Sequence, residues 1–351
     1  KALLSKGVAA ALESLKRRGE RERIVLLASG DPGFFGLGSS VLKVLPPGEV
    51  ELIPQVSMLQ AAFARAKAAW HDAHFTSAHA RPLAEVVGLA KRFPKLGILT
   101  DPRHTPALIA EKLLAAGIPD CRAVVFENLG EAEESMFDGS LSSLIQKSFS
   151  DLNVVLLIQA DGWQPVPNFF TRPDSAYAHR NGLITKADIR ALCLSRLALR
   201  ETDVVWDIGA GSGSVSVEMA EQAWRGRVFA VEKDSENLGH IRENIARFGI
   251  LNVEVIGGEA PSALAGLPAP NAVFIGGSGG RLEAILETVN QFAGCRVVAT
   301  FAVLENMLQA FQWMKTAGWN PSLTQAQFSY GSSIAEGTRL LPSNPVFILS
   351  R

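Results

Sequence analysis

Three glycines occupy alternate positions in the segment DIGAGSG, residues 207–213. The segment follows a strand-like run at 203–206 and precedes residues 214–224, whose apolar spacing predicts a helix. A strand, a glycine turn and a helix in this order direct backbone N–H groups into a crevice at the carboxyl edge of a sheet, where cofactors with a nucleotide half bind. Ser214 stands three residues after Gly211, so the spacing is not the dinucleotide fingerprint G-x-G-x-x-G. The pattern therefore favours a nucleotide cofactor other than NAD.

Two later segments could complete such a site. Glu232 ends the next predicted strand, where an acid can accept hydrogen bonds from both hydroxyls of a ribose. Gly258, Glu259 and Ala260 follow the third predicted strand, and the two small residues leave room for a flat adenine ring. Taken singly, a glycine turn is also compatible with plain packing, and Glu232 with a solvated strand end. The three segments in register favour a nucleotide site.

The first half of the chain alternates short apolar runs with helical stretches between Ile24 and about Ala160. Such alternation predicts an α/β layer with a largely parallel sheet. The predicted strands are RIVLLAS (23–29), EVELIP (49–54), KLGILT (95–100), RAVVFE (122–127) and NVVLLIQ (153–159), and the predicted helices cover 37–45, 57–69 and 106–116. Residues 1–22 are interrupted by charges at helical spacing, which predicts an amphipathic helix and not a signal peptide.

The second half restarts the alternation after a proline-containing stretch at 161–182, which we interpret as a linker. We therefore expect domains at 1–160 and 183–351. A helix is predicted at 185–198, and seven strands are predicted near 203–208, 227–231, 252–256, 271–275, 295–300, 322–329 and 345–349. The last two runs have no helix-length segment between them, so we expect a β-hairpin that closes a seven-stranded sheet.

Composition argues against several classes of protein. The 34 basic and 35 acidic residues give a net charge of −1, which speaks against a nucleic-acid partner. The three cysteines are far apart and odd in number, which speaks against a disulfide framework and favours a reducing cytoplasm. Apolar runs such as IVLLA (24–28) and VVLLI (154–158) are far shorter than the roughly 20 residues of a membrane span, so they are interpreted as buried strands and no membrane association is expected.

The chain as a whole resembles a known family of two-domain enzymes. The glycine turn headed by Asp207, together with Glu232 and residues 258–260, resembles the class I S-adenosylmethionine-dependent methyltransferases. Residues 179–218, 271–286 and 344–349 are similar to the C-terminal domain of the precorrin-6Y C5,15-methyltransferases (decarboxylating), which act in cobalamin biosynthesis. Residues 25–46, 98–114 and 123–134 resemble the tetrapyrrole (corrin/porphyrin) methylase domain fused ahead of it.

This resemblance implies that both domains use S-adenosylmethionine on one macrocycle. The first domain is assigned methylation at carbon 5, and the second methylation at carbon 15 with loss of carbon dioxide from the ring C acetate. The cofactor residues implied in the C-terminal domain are Thr185, Asp207, Gly209, Ala210, Gly211, Ser212, Gly213, Glu232, Gly258, Glu259 and Ala260. Those implied in the N-terminal domain are Gly30, Asp31 and Ser57.

A precorrin carries many carboxylates, so basic side chains near the crevice are expected to position it. The candidates are Arg103, His104, His179, Arg180 and Lys186, each of which could instead be a solvated loop charge. His71, His74 and His79 lie close in sequence, but their spacing does not predict a metal site, and none is expected. The loop GGSGG (276–280) is either a passage for substrate or a flexible turn.

The sequence departs from the family in three places. The first domain begins after the strand and glycine-proline loop that open a tetrapyrrole methylase, so it is expected to be truncated at its start. Glu259 stands where relatives have aspartate. Tyr330 stands where relatives often have an arginine, which puts one carboxylate contact in question.

Two other functions remain open. One is a tRNA or protein methyltransferase with the same C-terminal fold. The other is a chain in which only the C-terminal domain is active and the first domain serves as a scaffold. A homo-oligomer is expected, and a catalytic side chain cannot be named because methyl transfer from a sulfonium relies mainly on proximity and orientation.

Overall fold

The computed structural model describes residues 12–15, 24–28, 30–79, 81–165 and 171–351. They form two compact units. The N-terminal unit comprises the described residues within Lys1–Arg81, Phe93–Glu111 and Pro119–Trp163, and the C-terminal unit those within Pro82–Arg92, Lys112–Ile118 and Gln164–Arg351. Most of the predicted helix at 1–22 lies outside the described residues. Within this range, residues 12–15 are described and are helical.

The N-terminal unit contains a five-stranded sheet in the order β1-β2-β5-β3-β4. Its strands are β1 (Ala73–Ser77), β2 (Lys95–Leu99), β3 (Arg122–Glu127), β4 (Ser135–Ser140) and β5 (Asn153–Ile158). Among the described strands of this unit, only β1 and β2 pair in parallel, whereas β5 runs antiparallel to both β2 and β3, and β3 and β4 form an antiparallel pair. The prediction of a largely parallel sheet is therefore wrong. No α-helix separates β3, β4 and β5 along the chain, so the helical crossovers that parallel pairing requires are missing there.

Two predicted strands of this half are also wrong. Residues 24–28 and 50–56 are without regular secondary structure, and Val25, Leu27 and Ile53 are 83%, 84% and 75% exposed. An apolar run becomes a strand only where a neighbouring strand takes up its backbone hydrogen bonds, and none among the described residues pairs with these two segments. The runs at 95–99, 122–127 and 153–158 do pair, and those three predictions are confirmed.

The helices of the first half are α1 (Gly38–Val41), α2 (Met58–Arg65), α3 (Ala84–Ala90) and α4 (Pro106–Ala115). Thus the predicted helix at 37–45 is shorter than expected, while those at 57–69 and 106–116 are confirmed. Leu59 and Phe63 of α2 pack on Val124 and Leu156 of the sheet. The apolar side chains of the predicted helix therefore pack against those of the predicted strands, as their apolar pattern requires.

The C-terminal unit is built on a seven-stranded sheet in the order β11-β14-β10-β9-β6-β7-β8. Its strands are β6 (Val204–Ile208), β7 (Arg227–Glu232), β8 (Val253–Gly257), β9 (Ala272–Ile275), β10 (Arg296–Phe301), β11 (Ser322–Ala326) and β14 (Val346–Ser350). Strands β6 to β10 are parallel, and β14 is antiparallel to both β10 and β11. The seven predicted strands and the antiparallel closing pair are confirmed.

One element of this unit was not predicted. Between β11 and β14 the chain forms a separate two-stranded ribbon, β12 (Ser329–Ile334) with β13 (Gly337–Pro342). The predicted strand at 322–329 therefore ends at Ala326. The ribbon is largely exposed and does not show the alternation of a half-buried strand, which is why the sequence did not reveal it.

Helices cover both faces of the seven-stranded sheet. They are α5 (Ala187–Leu197), α6 (Ser214–Gln222), α7 (Ser235–Arg247), α8 (Leu282–Asn290) and α9 (Leu304–Thr316). Successive strand residues alternate between the faces: Val205 packs in the core that includes α5 and α6, and Trp206 in the core that includes α8 and α9. No helix within the described ranges is both long and apolar enough to span a bilayer.

The strand order reverses at β6. The chain proceeds from β6 outward to β7 and β8, and then returns to the other side of β6 to form β9. In open α/β sheets, ligands bind at the carboxyl ends of the strands beside such a switch point. We therefore expect a ligand-binding site among the residues that follow β6, β7, β8 and β9.

Candidate active site

The glycine turn leaves β6 at the switch point and leads into α6. Gly209 has φ +69°, and a Cβ there would lie 2.4 Å from the backbone oxygen of Gly277. Gly211 has φ +55°, but a Cβ there would meet nothing within 4 Å. Both positions require a left-handed backbone, which favours glycine. Of these two glycines, close packing explains the absence of a side chain at Gly209, whereas Gly211 faces open space.

Glu232 lies at the end of β7 and fastens the glycine turn. Its Oε2 accepts a hydrogen bond from the backbone N–H of Gly211 at 2.8 Å. Its Oε1 accepts from the N–H groups of Lys233 and Asp234, both at 2.9 Å. The side chain is 8% exposed, so three backbone hydrogen bonds hold a nearly buried carboxylate in one orientation. A carboxylate has about four acceptor positions, which leaves capacity for a ligand hydroxyl.

Asp207, the last but one residue of β6, is completely buried. Ser216 donates a hydrogen bond to its Oδ2, whereas Oδ1 has no partner among the described residues. Burial raises the pKa of Asp207 to about 7, the Ser216 hydrogen bond opposes the increase, and the charge of Glu232 adds to it. The carboxyl group is therefore poised between its neutral and ionised forms near neutral pH.

The ends of β6, β7, β8 and β9 surround an open cleft of about 500 Å³. Five of the predicted cofactor residues line the cleft: Gly209, Glu232, Gly258, Glu259 and Ala260. The other lining residues are Ile208, Val231, Lys233, Gly277, Ser278 and Gly279, the last three from the GGSGG loop.

The rest of the predicted glycine-turn residues lie beside the cleft. Ala210 and Ser212 are buried, and the N–H of Ala210 donates to the carbonyl of Val231 at 3.1 Å. Gly213 is the N-cap residue of α6. The structure therefore brings the predicted residues of segments 207–213, 232 and 258–260 together, as a nucleotide site requires.

An ion triad that the sequence did not reveal crosses the cleft. Glu259 accepts from Lys233 at 2.9 Å through Oε1, and its Oε2 lies 3.1 Å from Nη2 of Arg281. The pKa of Glu259 is lowered, first by the Lys233 hydrogen bond and then by the charge of Arg281. Glu259 follows β8 and Arg281 follows β9, with β6 and β7 between these strands. The two ion pairs therefore join the two sides of the cleft.

The other predicted residues of the C-terminal unit do not line this cleft. The carbonyl of Thr185 accepts from Arg190. Lys186 donates to the carbonyl of Gly182 at 3.2 Å, and Nδ1 of His179 accepts from the N–H of Gly182 at 3.1 Å. These residues form a second group in the segment that leads into α5.

Two exposed side chains of this region are paired. Arg180 pairs with Glu236 at 3.0 Å. Tyr330 donates a hydrogen bond to Asp188 at 2.6 Å. The hydrogen bond to Asp188 raises the pKa of Tyr330 to about 12. Tyr330 thus bonds to α5 as a neutral phenol.

A buried charge network holds the segment before α5. Arg190 and Glu218 pair at 3.1 Å, and their side chains are 0% and 1% exposed. Arg190 also pairs with Asp174 at 2.9 Å, and Tyr177 donates to Glu218 at 2.8 Å. Sequence reasoning missed this network. The available signal was an arginine at the same helical spacing as the apolar residues of its helix, since Arg190 and Leu194 are four residues apart.

Residues 171–182 of the predicted linker belong to this network. Tyr177 is 4% exposed and packs in a core cluster with Ile189 and Cys193 of α5. Arg172 pairs with Glu221 of α6 through two hydrogen bonds, at 2.6 and 2.7 Å. Residues 171–182 are therefore packed on the C-terminal unit.

The three cofactor candidates of the N-terminal unit also lie together. Asp31 accepts from the N–H groups of Gly33 at 2.8 Å and Gln55 at 3.1 Å. A Cβ on Gly30 would lie 4.0 Å from the backbone nitrogen of Met58. Ser57 forms a capping box with Gln60 at the start of α2. Local hydrogen bonding thus gives Asp31 and Ser57 a structural role.

The remaining candidates of the N-terminal unit, Arg103 and His104, follow β2. The N–H groups of Arg103 and His104 donate to Asp101 at 2.9 and 2.7 Å. His104 also contacts the carbonyl of Ala78 through Nδ1 at 2.8 Å, while Arg103 is exposed. His74 stacks on Phe93 with 3.3 Å between the ring centres. No group of three or more His, Cys, Asp or Glu side chains in the described ranges could hold a metal ion.

Comparison with known proteins gives a consistent result for both halves. A family model for the precorrin methyltransferase domain matches residues 175–351, and one for tetrapyrrole (corrin/porphyrin) methylases matches residues 5–145. The chain is 35% identical over 340 residues to a precorrin-6Y C(5,15)-methyltransferase (decarboxylating) of Sinorhizobium sp, covering 95% of this chain and 81% of the relative. It is 36% identical over 170 residues to a cobalt-precorrin-6B C(15)-methyltransferase (decarboxylating) of Salmonella typhimurium, covering 48% of this chain and 88% of the relative.

A solved structure agrees with these sequence matches. The crystal structure of precorrin-6Y C5,15-methyltransferase from Geobacter metallireducens GS-15 is 35% identical, with a TM-score of 0.50, and covers 52% of this chain and 97% of that one. The α/β fold class and the resemblance found in the sequence are thereby confirmed. This chain belongs to the family of precorrin-6Y C5,15-methyltransferases (decarboxylating).

Proposed function

We propose that this chain uses S-adenosylmethionine to methylate a precorrin at carbons 5 and 15 and removes the carboxyl group of the ring C acetate. Membership of the family supports this reaction. The observation that carries the proposal is the cleft at the carboxyl ends of the strands, where Glu232 accepts a hydrogen bond from the backbone of the glycine turn. As in the relatives, the proposed substrate is a small tetrapyrrole.

The residues around the cleft fit S-adenosylmethionine. The absence of a side chain at Gly211 keeps the space over the turn open, and the preoriented Glu232 carboxylate can accept a hydrogen bond from a ribose hydroxyl. Gly258 and Ala260 present little side-chain bulk where the adenine would lie. We therefore propose that segments 207–213, 232 and 258–260 hold the cofactor, and that Thr185 acts from the adjacent segment.

When bound, S-adenosylmethionine supplies a methyl group that is electrophilic because its sulfur is a sulfonium. The chain's own residues orient the cofactor through the glycine turn and Glu232, and bring a nucleophilic macrocycle carbon into line with the methyl–sulfur bond. The carbon–methyl bond would form as the methyl–sulfur bond breaks, with S-adenosylhomocysteine as the leaving group. In the second reaction, loss of carbon dioxide leaves an electron pair that a protonated pyrrolic system of the substrate takes up.

Basic side chains would position the substrate carboxylates. Arg103 and His104 in the N-terminal unit, and His179, Arg180 and Lys186 in the C-terminal unit, remain our candidates. Among the last three, Arg180 and Lys186 are already paired with Glu236 and Asp174, so a substrate carboxylate must compete with these acids. Both lysine and arginine side chains are exposed enough to exchange partners.

We propose the organisation expected from the sequence: a tetrapyrrole methylase domain at 1–160, a connecting segment at 161–182 and a methyltransferase domain at 183–351. Gly30, Asp31 and Ser57 are the proposed cofactor residues of the first domain. We further propose a cytoplasmic homo-oligomer that binds neither nucleic acid nor a membrane. The balance of 34 basic and 35 acidic residues supports the absence of a nucleic-acid partner.

The direct test is incubation of the full chain with precorrin-6B or cobalt-precorrin-6B and isotopically labelled S-adenosylmethionine. Mass spectrometry counts the methyl groups gained and the carboxyl groups lost. We expect carbon 15 methylation together with loss of one carbon dioxide per turnover. A methylated product that accumulates with its acetate intact would contradict the coupling of the two events.

A matched pair of variants ties this activity to the cleft. Glu232→Gln keeps the size of the side chain but removes the charge and one of its acceptor oxygens, so we expect at least about a tenfold loss of S-adenosylhomocysteine affinity. Glu243→Gln removes an exposed acid on α7 that pairs with Arg247, and should leave affinity unchanged. Calorimetric titration measures both, and equal affinities would place the ligand elsewhere.

A second possibility is that only the C-terminal domain is active. The local hydrogen bonds of Asp31 and the capping box of Ser57 favour it, because they account for both residues without a ligand. The stoichiometry of S-adenosylhomocysteine in the same titration separates the two possibilities. Two sites per chain support two working domains, and one site supports a scaffold role for the first.

A further inference from the structure

The interior of α7 contains a polar residue where an apolar one would be expected. Ile241 and Asn244 are the buried residues of this helix, and Asn244 is 0% exposed. Asparagine is a poor helix former, because its side chain competes for backbone hydrogen bonds. A buried side-chain amide also requires partners for its donors and its acceptor. The position of Asn244 therefore needs an explanation from its contacts.

Asn244 joins two segments that lie far from it in sequence. Its Nδ2 donates to the carbonyl of Ser212 in the glycine turn and to the carbonyl of Ala178, both at 2.9 Å. Its Oδ1 accepts from the N–H of Ala178 at 2.8 Å. Three hydrogen bonds from one amide thus fix the glycine turn relative to the segment that carries His179 and Arg180.

Neighbouring residues of α7 strengthen this arrangement on both sides. A Cβ on Gly213 would lie 3.0 Å from Cγ1 of Ile241, so α7 packs directly on the glycine turn. Arg247 donates to the carbonyl of Ala176 at 2.7 Å. The helix therefore contacts the turn and the segment 176–180 along the same stretch, with Asn244 between them.

We propose that Asn244 is a positioning residue, which sets the distance between the cofactor turn and the substrate-side segment 176–186. Asn244 does not line the cleft, and its amide acts through Ser212 and Ala178. Only a side chain with both donors and an acceptor can make the three bonds. The inference rests on the proposed function, since it assigns the turn to the cofactor and the segment to the substrate.

The test uses two substitutions of Asn244 in the full chain. Asn244→Ala removes all three hydrogen bonds. Asn244→Asp keeps the shape and the acceptor for Ala178 but turns a carboxylate oxygen towards the carbonyls of Ser212 and Ala178. We expect each variant to lose at least about tenfold in S-adenosylhomocysteine affinity, measured by calorimetry, and to raise the KM for the tetrapyrrole.

Asn252 provides a matched control in the same unit. Its Nδ2 donates to the carbonyls of Ala220 and Ala223 at 3.0 and 2.9 Å, at the end of α6 that is remote from the glycine turn. Asn252→Ala and Asn252→Asp should lower the unfolding temperature as the Asn244 variants do. They should leave the S-adenosylhomocysteine affinity and the KM for the tetrapyrrole within about twofold of the parent values.

The outcomes separate the possibilities. Unchanged affinity in the Asn244 variants, or an equal loss in the Asn252 variants, overturns the proposal. If neither Asn244 variant folds while both Asn252 variants do, Asn244 serves folding as a whole and the proposal is likewise overturned. If the parent chain itself does not bind S-adenosylhomocysteine, the proposed function fails instead.

Discussion

At the scale of single residues, Asp207 combines complete burial with an unpartnered carboxyl oxygen among the described residues. Its pKa of about 7 lies above the usual 3.8, so the folded chain holds a proton that the unfolded chain releases between these pH values. Stability from this group is present in full below about pH 4 and is lost as the pH rises to about 7. Burial of the charged form is the physical cause.

We expect Asp207→Asn to remove this pH dependence. Relative to the variant, the parent chain should lose unfolding free energy on the order of 3 kcal/mol between about pH 4 and pH 7, and little more above that. Urea unfolding at a series of pH values measures the difference. Glu287→Gln replaces an exposed residue of α8, and its unfolding free energy should instead show the same pH dependence as that of the parent chain. Parallel curves for Asp207→Asn would show that residue 207 is ionised throughout.

The glycine turn allows a second prediction at this scale. Gly211→Ala meets open space and should cost only the left-handed backbone conformation, about 1–2 kcal/mol, but it should abolish S-adenosylhomocysteine binding. Gly209→Ala adds a backbone clash with Gly277 and should cost about 2–4 kcal/mol. Thermal unfolding and calorimetry measure the two effects. Normal ligand binding by Gly211→Ala would mean that the open space is not used.

At the scale of elements, the Arg190–Glu218 pair holds the segment before α5 onto α5 and α6. Removing one partner of a buried pair leaves the other charge uncompensated, so Arg190→Met should cost about 3–5 kcal/mol. The double variant Arg190→Met, Glu218→Gln should recover part of that loss. Arg227→Met breaks an exposed pair with Glu254 and should cost less than about 1 kcal/mol. Equal costs for Arg190→Met and Arg227→Met in urea unfolding would contradict this account.

The elements also explain which parts of the molecule could be predicted from sequence. The carboxyl-edge residues 207–213, 232 and 258–260 could be placed together because parallel strands all end at one edge of a sheet. The triad of Lys233, Glu259 and Arg281 could not, because it depends on long side chains that meet across loops. The apolar run at 24–28 was misread for a related reason, since pairing of a strand depends on its neighbours and not on its own residues.

At the scale of the whole molecule, the chain consists of two units with separate sheets. We expect two transitions in calorimetric unfolding. A ligand that binds the cleft of the C-terminal unit should raise the transition of that unit by mass action. Gly209→Ala identifies this transition, because it lowers only the unit that contains the glycine turn.

The response of the other transition is informative as well. If S-adenosylhomocysteine raises the temperature of both transitions, the N-terminal unit also binds it. If it raises only the transition that Gly209→Ala lowers, only the C-terminal unit binds it. A shift confined to the transition that Gly209→Ala leaves unchanged would contradict the assignment of the cofactor to the cleft.

The contact between Gly209 and Gly277 has a consequence for evolution. A Cβ at position 209 would lie 2.4 Å from the backbone oxygen of Gly277, so a side chain there demands a movement of the loop around 277. Related enzymes that have gained a side chain at position 209 should therefore differ in the length or path of the loop around 277. Substitutions at the two positions should therefore be correlated among relatives, although 67 residues lie between Gly209 and Gly277 in the sequence.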